Sequence, residues 1–86
     1  MRHAARTDAN QREIIAALRA VGAQVYYIKL PVDLLVRYRG VNYLLEVKTA
    51  QGRRTKAQER LWQAWRYAVV CSPLGALQAI GAEIAI

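Results

Sequence analysis

The sequence predicts an α/β domain in which a mixed sheet of about four strands is flanked by helices, in the order α-β-β-β-α-β-α. Three features predict it. Apolar residues recur at helical spacing near the start of the chain and again after residue 55. A β-branched and aromatic stretch is followed by two apolar runs separated by Gly40, which is a three-strand block. A short apolar run, YAVVC, then stands between two helical segments. With 86 residues there is room for one such domain and a modest core. Residues 1–7 read as a basic flexible tail and 8–86 as the domain.

The first helix is expected from Asp8, an N-cap residue type with Gln11 three positions on, through Ile14, Ile15, Leu18 and Val21, with Gly22 as its C-cap. Glu13 is adjacent to that apolar stripe and off its centre. Gln24 to Leu30 (QVYYIKL) reads as a strand that Pro31 ends. Asp33 to Arg39 and Asn42 to Thr49 form a hairpin around Gly40, and their near-continuous apolar runs imply cover on both faces. Ala50 to Arg54 is a basic loop, and Thr55 caps a helix from Lys56 to about Arg66. Tyr67 to Cys71 is the fourth strand. Ser72-Pro73 then places an N-cap and a proline at the start of a last short helix that Gly81 closes.

A formal charge of +7, from 13 Lys and Arg against six acids, favours a polyanionic partner. The one cysteine, Cys71, excludes an internal disulfide and a multi-cysteine zinc site and favours a reducing compartment. It reads as a small buried hydrophobe. The apolar runs are far shorter than the ~20 residues of a spanning helix, and the first ten residues do not resemble a signal peptide. A cytoplasmic protein without a membrane partner or an organic cofactor is the expectation.

Two of the acids, Asp33 and Glu46, lie in the most apolar strand segments, where an unpaired carboxylate is costly unless exposed, paired or holding a metal. If Arg39 and Gly40 form a two-residue loop, hairpin positions summing to 79 face each other and Asp33 falls opposite Glu46. A four-residue loop would instead set Asp33 opposite Lys48, one diagonal step from Glu46. Either way Glu46 and Lys48 share a face, since a strand alternates with period two. Paired carboxylates repel unless protonated or bridged, and hard oxygen ligands suit Mg²⁺ or Mn²⁺. A lysine beside them can orient water and offset charge in a phosphoryl transition state. The plain alternative is an exposed Asp33 with a Glu46–Lys48 ladder pair.

Pro31-Val32-Asp33, a 12-residue spacer and Glu46-Val47-Lys48 resemble the PD-(D/E)xK nuclease superfamily, and the flanks resemble its VRR-nuclease branch. The resemblance runs over most of the chain, and it differs from the branch pattern in that Val32 separates the proline from the aspartate. It implies a restriction-endonuclease-like fold, a bacterial or phage-encoded protein, and metal-dependent hydrolysis of DNA phosphodiester bonds. It further implies that Asp33, Glu46 and the Val47 carbonyl hold Mg²⁺ or Mn²⁺, with Lys48 catalytic. Glu13 matches the family's extra helix-borne acid, and Gln58 a helix glutamine that supports the lysine or the scissile phosphate. By the same analogy, and given the chain's small size, a homodimer resembling a Holliday-junction resolvase is expected, acting on branched or duplex DNA.

Arg53, Arg54 and Lys56 are the candidates for backbone contact near the cut, followed by Arg37 and Arg39. Trp62 and Trp65 read as core or dimer-interface anchors rather than stacking platforms, and the tyrosines as strand packing. Two readings compete with the nuclease: a catalytically inactive DNA-binding module that keeps the fold, and a partner of an acidic protein.

Overall fold

The computed structural model describes the backbone of residues 3–48 and 56–82, and the side chains from residue 9 onward within those ranges. The elements are α1 (His3–Ala20), β1 (Gln24–Tyr27), β2 (Leu34–Tyr38), β3 (Val41–Val47), α2 (Lys56–Ala64), β4 (Ala68–Val70) and α3 (Pro73–Ala79). This is the expected order. The sheet runs β1-β2-β3-β4, antiparallel across the first two junctions and parallel between β3 and β4. No helix among the described residues is long and apolar enough to cross a membrane.

Boundaries differ where local chemistry overrides the pattern. α1 begins at His3, ahead of Asp8, because the alanines and arginine of HAART are good helix formers that continue the helix toward the N-terminus. β1 stops at Tyr27, since the N–H groups of Ile28 and Lys29 both turn back to the Asp33 carbonyl at 2.8 and 3.2 Å. Lys29 there takes a positive φ of 72°, a left-handed conformation that cannot continue a strand. The last helix follows expectation: the Ser72 hydroxyl accepts from the Gly75 N–H at 3.0 Å, and Pro73 occupies the first turn.

α1 and α3 pack against each other and cover one face of the sheet. Ile14, Leu18, Val25, Leu34, Val36, Leu45, Val47, Val70 and Ile80 form its core. The other face is covered less. Leu35 and Leu44 are only half-buried, Val69 is exposed, and α2 buries no residue. The two apolar hairpin runs are therefore not sealed on both sides as their composition suggested. Trp65 is 62% exposed, while Trp62 lies half-buried under the Arg66 guanidinium at 3.6 Å, so neither is a core anchor within one chain. Tyr26 and Tyr27 are exposed, whereas Tyr38 is buried. Cys71 is exposed because it sits in the connector between Val70 and the Ser72 cap, past the last residue of β4.

Candidate functional site

The hairpin register decides the site. Leu34 pairs with Leu45, Val36 with Tyr43 and Tyr38 with Val41, so partners sum to 79 and the connection is the two-residue loop Arg39-Gly40. Both loop residues have positive φ, 52° and 80°, which is the condition of a type I′ turn whose twist matches the strands. Carried one step beyond Leu34, this register sets Asp33 against Glu46.

Asp33 and Glu46 do meet. The Val47 N–H donates to Asp33 Oδ2 at 2.8 Å, and the two carboxyl groups hydrogen-bond each other. Burial pushes the Asp33 carboxyl above its usual range. The Val47 N–H opposes that shift, the charge and hydrogen bond of Glu46 add to it, and the Lys48 cation opposes it again. Glu46 is itself buried, at 6% exposure, and its Oε2 receives Lys48 Nζ at 3.3 Å and the Gln58 amide at 2.7 Å. Glu46 is thus anchored through Oε2 and Asp33 through Oδ2. The α2 backbone at Gln58 is in turn held by the buried Tyr67, whose hydroxyl donates to the Gln58 backbone carbonyl at 2.9 Å.

The donor set fits a hard divalent cation. Two close carboxylates with one lysine beside Glu46 sit in a partly dehydrated place, where burial first and then the Glu46 charge hold the Asp33 carboxyl above its usual range. Among the described residues no group of three or more His, Cys, Asp or Glu could hold an ion. Two carboxylates plus a backbone carbonyl suit a cation such as Mg²⁺ or Mn²⁺ that keeps waters for its remaining positions.

The other expected residues fall into distinct places. Glu13 is exposed on α1 and joins no metal-ligating group. It lies off the stripe of Ile14 and Leu18, and the stripe's polar continuation is Asn10, four residues before Ile14. The Asn10 amide approaches the Lys48 carbonyl at 3.5 Å. Sequence reasoning missed Asn10, although its helical spacing from Ile14 and Leu18 was there to be read. Gln58 reaches the site, but its amide meets Glu46 rather than Lys48. Val32, the residue that separates Pro31 from Asp33, is fully buried, so the shifted proline reflects a packing residue. Lys56 is exposed at the start of α2. Arg37 shares the face of Asp33, four residues along β2 or about 13 Å, and donates to Asn42 at 3.0 Å. Arg39, at the turn, lies 5.1 Å over the Tyr38 ring. Arg53 and Arg54 lie outside the described residues.

Fold and site define a class: a small mixed-sheet α/β domain with a carboxylate pair and a lysine at one end of its central hairpin. Its architecture is that of a solved structure described as a VRR_NUC domain, with a TM-score of 0.72 and 24% sequence identity over 86% of this chain and 92% of the other. That likeness establishes the fold, and it is the fold implied by the motif. No family model and no curated protein matches the sequence.

A pH-dependent stability difference is expected from this geometry. A carboxyl whose pKa is raised on folding holds its proton more tightly in the folded state, so stability falls as pH rises above the ordinary carboxylate value. Metal-free wild type should therefore lose thermal stability relative to Asp33→Asn as pH rises above about 4. Scanning calorimetry over a series of pH values checks it: parallel curves for the two proteins would contradict a buried Asp33 carboxyl with a raised pKa. Added Mn²⁺ should raise the melting temperature of wild type and leave that of Asp33→Asn nearly unchanged.

Proposed function

We propose that the protein is a metal-dependent endonuclease that hydrolyses DNA phosphodiester bonds, with branched DNA such as a Holliday junction as its preferred substrate. The observation that carries this reading is the meeting of Asp33, Glu46 and Lys48, with Glu46 held by Lys48 and Gln58. The likeness to a VRR_NUC domain supports it at the level of fold.

In this mechanism Asp33, Glu46 and the Val47 carbonyl would hold Mg²⁺ or Mn²⁺, which when bound would polarise the phosphate and lower the pKa of a water. Lys48 stands 3.3 Å from Glu46, where its ammonium orients the attacking water and offsets charge on the transition state. Gln58 fixes the Glu46 carboxylate, and Tyr67 fixes the backbone at Gln58. Lys56, Arg53 and Arg54 take phosphates near the cut, and Arg37 and Arg39 take them farther along the hairpin. Glu13 takes no direct part, since it is exposed on α1 and joins no metal-ligating group among the described residues.

The assembly we propose is a homodimer, with two sites for two strands. The half-covered face carrying Leu35 and Leu44 beside the exposed Trp65, under an α2 that buries nothing, is the kind of surface a second copy covers. The test is cleavage of an end-labelled four-way junction and its matching linear duplex with Mg²⁺ or Mn²⁺. Cutting of the junction in preference to the duplex is expected. Salt-sensitive binding without cutting of either would instead favour an inactive DNA-binding module.

A further inference from the structure

We propose that Leu30 is a wedge that enters the DNA base stack beside the scissile phosphate and so makes cutting depend on how readily the bases unstack. The inference rests on the nuclease reading and gives it a source of substrate selectivity.

Leu30 is 79% exposed, more than any other large apolar side chain named among the described residues. A single exposed leucine means little. Leu30, however, is part of a contiguous apolar rim with Pro31, Ala57 and Leu61 around an open hollow. Gln58 lines the same hollow, and its amide is 2.7 Å from Glu46, so one side chain links the hollow to the carboxylate pair. Leu30 is also held in place. Its N–H donates to the Ile28 carbonyl at 2.8 Å, and the preceding two N–H groups close onto the Asp33 carbonyl. The loop that presents Leu30 is therefore the loop that presents Asp33.

Charge identifies the occupant. Lys29 adjoins Leu30 in sequence, Lys56 begins the helix that supplies Ala57, and Lys48 lies on the Glu46 side. An apolar rim bordered by lysines suits a nucleotide chain, whose phosphates meet the cations while its bases meet the rim. Leucine and proline are among the side chains that wedge between base steps in this way. Unstacking costs least where pairing is already interrupted, as at a branch point. A wedge at this place would thus favour branched over continuous duplex.

The test uses four-way junctions carrying 2-aminopurine at positions flanking the branch point, with Ca²⁺ in place of Mg²⁺ to hold cleavage back. Wild type should raise the fluorescence on binding at one or more positions. Leu30→Ala, a change at an exposed site, should bind with the same salt dependence and lose most of that rise, and with Mg²⁺ it should lose its preference for junction over duplex. An undiminished rise with Leu30→Ala overturns the wedge. A wild-type rise that Leu30→Ala abolishes, in a protein that cuts no DNA with Mg²⁺ or Mn²⁺, upholds the wedge and defeats the nuclease reading. Absence of DNA binding at low salt overturns both.

Discussion

Lys48→Ala is expected to lower the rate of DNA cleavage by about 10²- to 10⁴-fold, the range for removing a positioned proton-transfer or charge-stabilising group. Lys48 Nζ is 3.3 Å from Glu46 and its side chain is 21% exposed, so it is partly shielded from water beside the carboxylate pair. Binding of DNA should weaken little, because one phosphate contact at most is lost from a chain of net charge +7. Single-turnover cleavage with DNA and metal both saturating separates the two effects. Lys48→Arg should not restore the rate, since the planar guanidinium places its charge differently from an ammonium. A Lys48→Ala protein that cuts at the wild-type rate would remove the lysine from the mechanism and leave the site as a metal-binding pair alone.

Leu45→Ala is expected to destabilise the domain by about 2–5 kcal/mol, the usual cost of a buried leucine cavity. Leu45 is fully buried on β3, between Leu34 of β2 and Ala68 of β4. A chain of this size has a total stability on the order of 4–13 kcal/mol, so the change takes a large part of it. Thermal unfolding followed by circular dichroism should show a fall of about 4–8 °C for each kcal/mol lost. Leu44→Ala, one residue away on the half-covered face, should cost clearly less in a monomer. An equal drop would mean that the α2 side is sealed in solution, which is what a homodimer across that face would produce. Repeating the melt at several protein concentrations distinguishes a dimer, because only then does the midpoint rise with concentration.

Much of this architecture was legible because it depends on near neighbours in the chain. The helix stripe of Ile14 and Leu18, the Ser72-Pro73 start of α3 and the hairpin around Gly40 are all set by interactions a few residues apart. The carboxylate pair was legible for the same reason: once Arg39-Gly40 is a two-residue loop, period-two alternation leaves Asp33 and Glu46 facing each other. Where the reading failed, the deciding contacts were distant in sequence. Trp62 on α2 and Trp65 just past its end stay out of the core, which α1 and α3 complete on the other face of the sheet. Glu13 was expected near the metal and lies outside, since the way α1 rolls on the sheet turns Asn10 toward Lys48 instead. Gln58 was placed in the right neighbourhood with a different partner, because the height of α2 above β3 settles which side chain its amide meets.

By itself, then, the sequence determined the order of elements, a hairpin around Gly40 and two acids brought within reach of one lysine, because turn chemistry and strand alternation act locally. The structure selected the two-residue loop over the four-residue one. Tertiary structure alone decided which helix residues approach that trio, which face of the sheet stays partly open, and that Leu30 stands exposed at the rim. Those outcomes depend on how whole elements pack over one another, and no spacing along the chain encodes the relative height and roll of two helices on a sheet.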